Sequence, residues 1–231
     1  MYNALGQIEV YLEIGKSRTF VVALDWPGWC RSGRDEASGL QALIDYGPRY
    51  AGVLTGTRLG FHPPSTTSEL VIAERLTGNA TTDFGAPGLA LPIDKQPVTV
   101  VGLQQWLAIL DASWMAYDHV VQAAQGKILR KGPRGGGRDL GKLVEHVQNT
   151  EHAYLASLGG NAHRGLENEQ GQASLVARRA ILETFASATN GEIPAIGPRG
   201  GKRWSPRYFV RRFTWHVLDH TWEIEDRIKA A

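Results

Sequence analysis

His216 and His220 stand four residues apart in a stretch whose apolar and charged residues recur at helical spacing from about residue 205 to residue 229. On a helix that spacing stacks two imidazoles one turn apart on one face, within reach of a single divalent ion. The same spacing also serves two histidines that each bond a carboxylate, and the pair alone does not separate the two readings. His146, in Leu143-Val144-Glu145-His146-Val147, tips the balance toward metal, because it sits beside the apolar stripe of another helical stretch, where an imidazole needs a partner. Three neutral ring nitrogens complete a facial set and leave coordination positions for water or substrate, as a catalytic rather than a structural site does. Asp219, Glu223 and Glu145 are the carboxylates near enough in sequence to bond the rings and fix their tautomers.

These histidines need a rigid helical frame, and the second half of the chain supplies its pattern. From residue 100 onward four amphipathic stretches, at about 101–125, 139–158, 173–188 and 205–229, alternate with glycine-rich breaks. Trp106, Leu110, Trp114 and Tyr117 share one side of the first. Such a series predicts a four-helix bundle. The first half reads differently. Ile8, Val10, Leu12 and Ile14 alternate with Glu9, Tyr11 and Glu13, the period of a half-buried strand, and residues 19–24 form a β-branched run that pairs with it as a hairpin. Asp35-Glu36-Ala37 opens a short helix expected to end near Gly47-Pro48, and a further strand is expected at 70–76. Residues 78–97 hold no sustained period and read as a long loop. The expectation is an α+β chain: a ββαβ domain over 1–77, a linker over 78–99 and a helical bundle over 100–231.

Composition narrows the function. With 231 residues and 42% hydrophobic residues the chain can bury sizeable cores. A net charge of +2, from 25 basic and 23 acidic residues, lacks the footprint of a nucleic-acid binder. A single cysteine, Cys30, rules out an intramolecular disulfide and favours a cytoplasmic setting. No run approaches the roughly 18 apolar residues of a membrane helix. Cys30 beside Trp26, Trp29 and Arg31 reads as a packed turn before it reads as a nucleophile. Asp83-Phe84-Gly85 lacks every other kinase motif, and His62, His119 and His163 have no ligand spacing. Arg203, Arg207, Arg211 and Arg212 interleave with Trp204, Tyr208 and Phe213, which at helical spacing fill a core rather than stack on bases.

A five-residue repeat is more informative. Gly132-Pro133-Arg134-Gly135-Gly136 and Gly197-Pro198-Arg199-Gly200-Gly201 each precede a histidine-bearing helix. Glycine lets backbone N–H groups approach an anion at a helix N-terminus, and Arg134, Arg138, Arg199, Lys202 and Arg203 would add donors. Equally, both segments serve as ordinary helix-entry loops with solvated basic residues.

The segment Leu143-Val144-Glu145-His146-Val147-Gln148-Asn149-Thr150-Glu151-His152, with His216-Val217-Leu218-Asp219-His220, resembles the two histidine motifs of the DinB and YfiT-like superfamily over about residues 100–227. The resemblance implies a four-helix bundle that binds a divalent metal, zinc or nickel before iron or manganese, through His146, His216 and His220, with His152 excluded. It further implies a transferase of low-molecular-weight thiols or, next, a hydrolase. Residues 19–33, with Pro27-Gly28 between strands and Gly33 before a helix, resemble the HicB-like fold over about residues 8–55. That module is expected to cover the bundle or to mediate assembly, a homodimer included. The chain is thus expected to act on a small anionic molecule; the rival expectation is a non-catalytic binding or stress-response scaffold.

Overall fold

A computed structural model describes residues 7–131, 137–161 and 170–228. The chain is a mixed α+β protein, with a four-stranded sheet near its N-terminus followed by long helices. Strands β1 (Ile8–Ile14) and β2 (Thr19–Ala23) pair antiparallel, with Val10 opposite Ala23 and Ile14 opposite Thr19. A third strand, β3 (Cys30–Gly33), continues the antiparallel meander, and β4 (Leu70–Thr77) adds to the far side of β1 in parallel, so the order is β3-β2-β1-β4. The expected ββαβ unit is therefore corrected to βββαβ. Its missing strand is four residues long and reads Cys-Arg-Ser-Gly, with no apolar alternation to announce it.

The half-buried reading of β1 is corrected as well, because both faces of the sheet are covered. Ile8, Val10, Leu12 and Val21 pack into the main core with Leu43 and Tyr50 of the following helix, α1 (Glu36–Val53). On the other face Tyr11, Phe20, Val22 and Cys30 lie under Leu91 and under Trp215 from the last helix. Helix α1 starts at Asp35, whose carboxylate accepts from the Ser38 N–H while the Ser38 hydroxyl accepts from the Asp35 N–H. It runs through Gly47-Pro48 instead of stopping there. Tyr50, fully buried, stacks on Trp29 and donates its hydroxyl to the Pro27 carbonyl, an anchor that outweighs the one hydrogen bond Pro48 removes.

Residues 78–99 form a strap across the sheet. They carry the short helix α2 (Ala80–Phe84) and a 3-10 turn, Pro92–Lys95. Glu13 of β1, wholly buried, accepts hydrogen bonds from the Thr82 hydroxyl and from the backbone N–H groups of Gly88 and Leu89. Asp94 makes a buried ion pair with Arg211. Both carboxylates are fully committed to holding the strap.

Four long helices follow: α3 (Val100–Ala124), α4 (Leu140–Leu158), α5 (Gln170–Thr189) and α6 (Pro206–Ile228). Helix α6 contacts the other three. It buries Phe209, Phe213, Val217 and Leu218 in the main core while Trp215 faces the sheet. At roughly 1.5–3 kcal/mol for each large apolar side chain, this helix contributes packing energy to both apolar clusters. The turn between β2 and β3 docks directly on it: Gly28 has φ +91°, and a Cβ there would come within 2.7 Å of both Leu218 Cδ1 and Thr214 Cγ2. The apolar residues of sheet, α1 and the four long helices form one continuous cluster. No described helix is long and apolar enough to cross a membrane.

Candidate metal centre

Helices α4 and α6 run antiparallel. The Trp204 N–H donates to the Ser157 carbonyl at one end of the pair, and the Arg227 guanidinium donates to the Arg138 carbonyl at the other. Antiparallel packing sets His146, near the start of α4, against the middle and later turns of α6. There the rings of His146, His216 and His220 gather, with centroids 5.1, 4.9 and 4.6 Å apart. One donor nitrogen from each lies within 4.8 Å of the others, so the three histidines are close enough to hold a metal ion.

The donor chemistry fits such an ion. Nε2 of His146 and Nε2 of His216 are 3.2 Å apart. Bonds of about 2.1 Å in a tetrahedral site put donor nitrogens about 3.4 Å apart. That pair is thus already at ligating distance, and the remaining separations, none above 4.8 Å, close with an adjustment of up to about 1.4 Å. Two imine lone pairs facing each other repel, so their approach requires either one shared proton or one cation between them.

Burial, reinforced by the neighbouring His220 and His146, pushes the His216 pKa down to about 2. His146 is lowered too, first by burial and then by His220 and Arg138. Both rings are therefore neutral and able to ligate near neutral pH. Nδ1 of His220 lies 2.8 Å from Oε2 of Glu223. The His220 bond is the main reason the Glu223 pKa lies below the usual glutamate value, so the carboxylate accepts and Nδ1 donates, which leaves Nε2 as the ring nitrogen available to ligate. Glu223 is steadied in turn by Arg227, 2.9 Å away and one turn further along α6.

Of the other expected acceptors, Asp219 faces Arg31 of β3 at 3.6 Å and Glu145 is exposed. His152 is outside the cluster, and His62 and His119 are exposed residues elsewhere. Cys30 is buried with its thiol pKa raised well above the usual value by that burial, which removes it as a nucleophile.

The two glycine-arginine repeats do not both approach this centre. Arg138 adjoins the α4 N-cap at the histidine end, exposed, and contributes to lowering His146 and His216. Arg134 and the repeat at 132–136 lie outside the described residues, as does His163. Arg203 packs against Gly159 at the opposite end of α4, about 20 Å from His146 at 1.5 Å per residue, and donates to the Pro194 carbonyl. In the second repeat the Gly197 N–H bonds the Gly201 carbonyl and the Gly200 N–H bonds the Gly197 carbonyl. Those amides are consumed within the turn, and Arg199 and Lys202 stand exposed beside it.

Two residues near the centre are not among the site residues the sequence names. Tyr154 packs edge-on to His216 at 5.7 Å, and Arg212, one helical turn before His216, lies over Tyr154 and Trp215. Extending the His216–His220 spacing one turn backward along α6 would find the arginine. A separate cleft of about 770 Å³ opens on another face of α6 between α1 and α3, lined by Val53, Met115, Val120 and Trp222; none of the three histidines borders it. No family model, curated protein or solved structure matches this chain.

Proposed function

We propose that this chain is a divalent-metal-dependent enzyme of the DinB-like kind, built on a four-helix bundle and carrying a HicB-like sheet module. In this reading His146, His216 and His220 hold the ion, and a small anionic molecule is the substrate. One observation carries the reading: three imidazoles from two helices converge inside a packed bundle, one of them oriented by a carboxylate. Among the described residues no fourth histidine, cysteine or carboxylate joins the group, which supports a site with a coordination position left for a reactant.

A zinc, nickel, iron or manganese ion bound there would lower the pKa of a coordinated water or thiol and so supply a nucleophile near neutral pH. Transfer of a low-molecular-weight thiol is the preferred reaction class, with hydrolysis second. The protein's own part is positioning. Glu223 fixes the His220 tautomer, the buried His216 stays neutral, and Arg138 adds positive charge at the histidine end of α4. The sheet, through the strap and the Gly28 turn, holds α6 in place.

The test is elemental analysis of untagged protein. About one equivalent of metal is expected in the wild type and none in the His216→Ala, His220→Ala double variant. A wild type that arrives empty and takes up none of the four metals would leave a scaffold role in place of an enzyme.

A further inference from the structure

Helix α6 carries four arginines, and three are spoken for. Arg207 donates to the carbonyls of Gln96 and Pro97, Arg211 pairs with Asp94, and Arg227 bonds Glu223 and two backbone carbonyls. Arg212 has no carboxylate or hydrogen-bond partner among the described residues, and its Nη1 is buried without one. Its guanidinium carbon lies 4.5 Å from the Trp215 ring centre and 5.7 Å from that of Tyr154. Tyr154 in turn touches His216, so one aromatic ring borders both the arginine and the histidine cluster. A water-sized space beside Trp215 and Tyr208 also borders Arg212; a single water there can serve at most part of a guanidinium with five N–H donors.

A half-buried guanidinium without a counter-charge is costly to maintain, and a planar anion is the partner that would relieve that cost while the rings of Trp215 and Tyr154 stay against it. The geometry points to Arg212 as the residue that receives the carboxylate of a small substrate whose other donor atom occupies the position beside His146, His216 and His220. This rests on the metal reading above and deepens it by naming the substrate's anionic group. One fork of donors matches a monoanionic carboxylate in bidentate fashion, whereas a phosphate dianion ordinarily collects several cationic or backbone donors.

The experiment loads untagged protein with cobalt(II) and follows the thiolate-to-metal absorption as two probes are titrated: 3-mercaptopropionate and its neutral amide, 3-mercaptopropanamide. The wild type is expected to bind the carboxylate at least about tenfold more tightly than the amide, the scale of a charge-assisted bidentate contact. Arg212→Gln should lose that preference while keeping its cobalt stoichiometry. Arg212→Lys, which keeps the charge and loses the fork, should retain only part of it. Equal binding of the two probes by the wild type overturns the assignment, as does a preference that survives in Arg212→Gln or disappears only in Arg138→Gln. Failure to bind cobalt at all would instead remove the metal reading, and this assignment with it, so the two failures are distinguishable.

Discussion

Glu151 of α4 is buried and, among the described residues, accepts one hydrogen bond, from the indole N–H of Trp114 at 2.7 Å. Burial is the dominant influence on it and raises its pKa to about 7, against the opposing pull of the Trp114 bond and of Arg178. In the unfolded chain a glutamate titrates near about 4.3. Between those two values the folded protein holds a proton that the unfolded chain has released, so stability falls as pH rises from about 4.3 through about 7. Each pH unit across that interval costs about 1.4 kcal/mol, so the loss is about 4 kcal/mol by about pH 8. Glu151→Gln keeps an oxygen for the Trp114 N–H and removes the ionisation. The variant should match the wild type in stability near about pH 4 and exceed it by about 3–4 kcal/mol at about pH 8.

The assay is urea unfolding of both proteins at the two pH values, followed by tryptophan fluorescence. Comparing the proteins matters because His146 and His216, with lowered pKa values in the fold, act in the opposite sense. The unfolded chain takes up their protons below about 6.5, so they cost stability as pH falls, equally in both proteins, and they cancel in the difference. A stability difference that does not change with pH, or that favours the wild type at pH 8, would refute the reasoning about this carboxyl.

Glu223→Gln leaves the three ligands in place but weakens the acceptor that orients His220, so metal affinity measured by competition with a chelator should fall about 10–100-fold. Asp94→Ala strands the buried Arg211 guanidinium and releases the strap, and should lower unfolding free energy by about 3–5 kcal/mol; Asp94→Asn, still an acceptor, should cost less in the same urea titration. Gly28→Ala places a methyl against Leu218 and Thr214 at a left-handed φ, and thermal melting should show a loss of about 1–3 kcal/mol.

How much of the molecule is legible in its sequence follows from the range of the interactions involved. The four long helices carry their own periodicity, and their observed bounds lie close to those expected: α4 covers Leu140–Leu158 against 139–158. The histidine spacing on α6 is equally local. Strand β3 is illegible because it has no pattern of its own; it exists because β2 offers it an edge. The run of α1 beyond Pro48 depends on Tyr50 reaching Pro27, a partner 23 residues away. The strap reads as a linker because its fixing points, Glu13 and Arg211, are contributed by distant elements and look in the sequence like solvated charges. Both glycine-arginine repeats precede a histidine-bearing helix in the sequence, yet antiparallel packing of α4 and α6 sends the second repeat to the far end of the pair.

X-ray absorption spectroscopy on metal-loaded, untagged protein addresses the centre most directly. Three imidazole nitrogens are expected at about 2.0–2.1 Å from a zinc ion, with the remaining ligand a light atom from solvent or buffer. A first shell made only of oxygens, or one unchanged in the His146→Ala variant, would contradict a three-histidine centre.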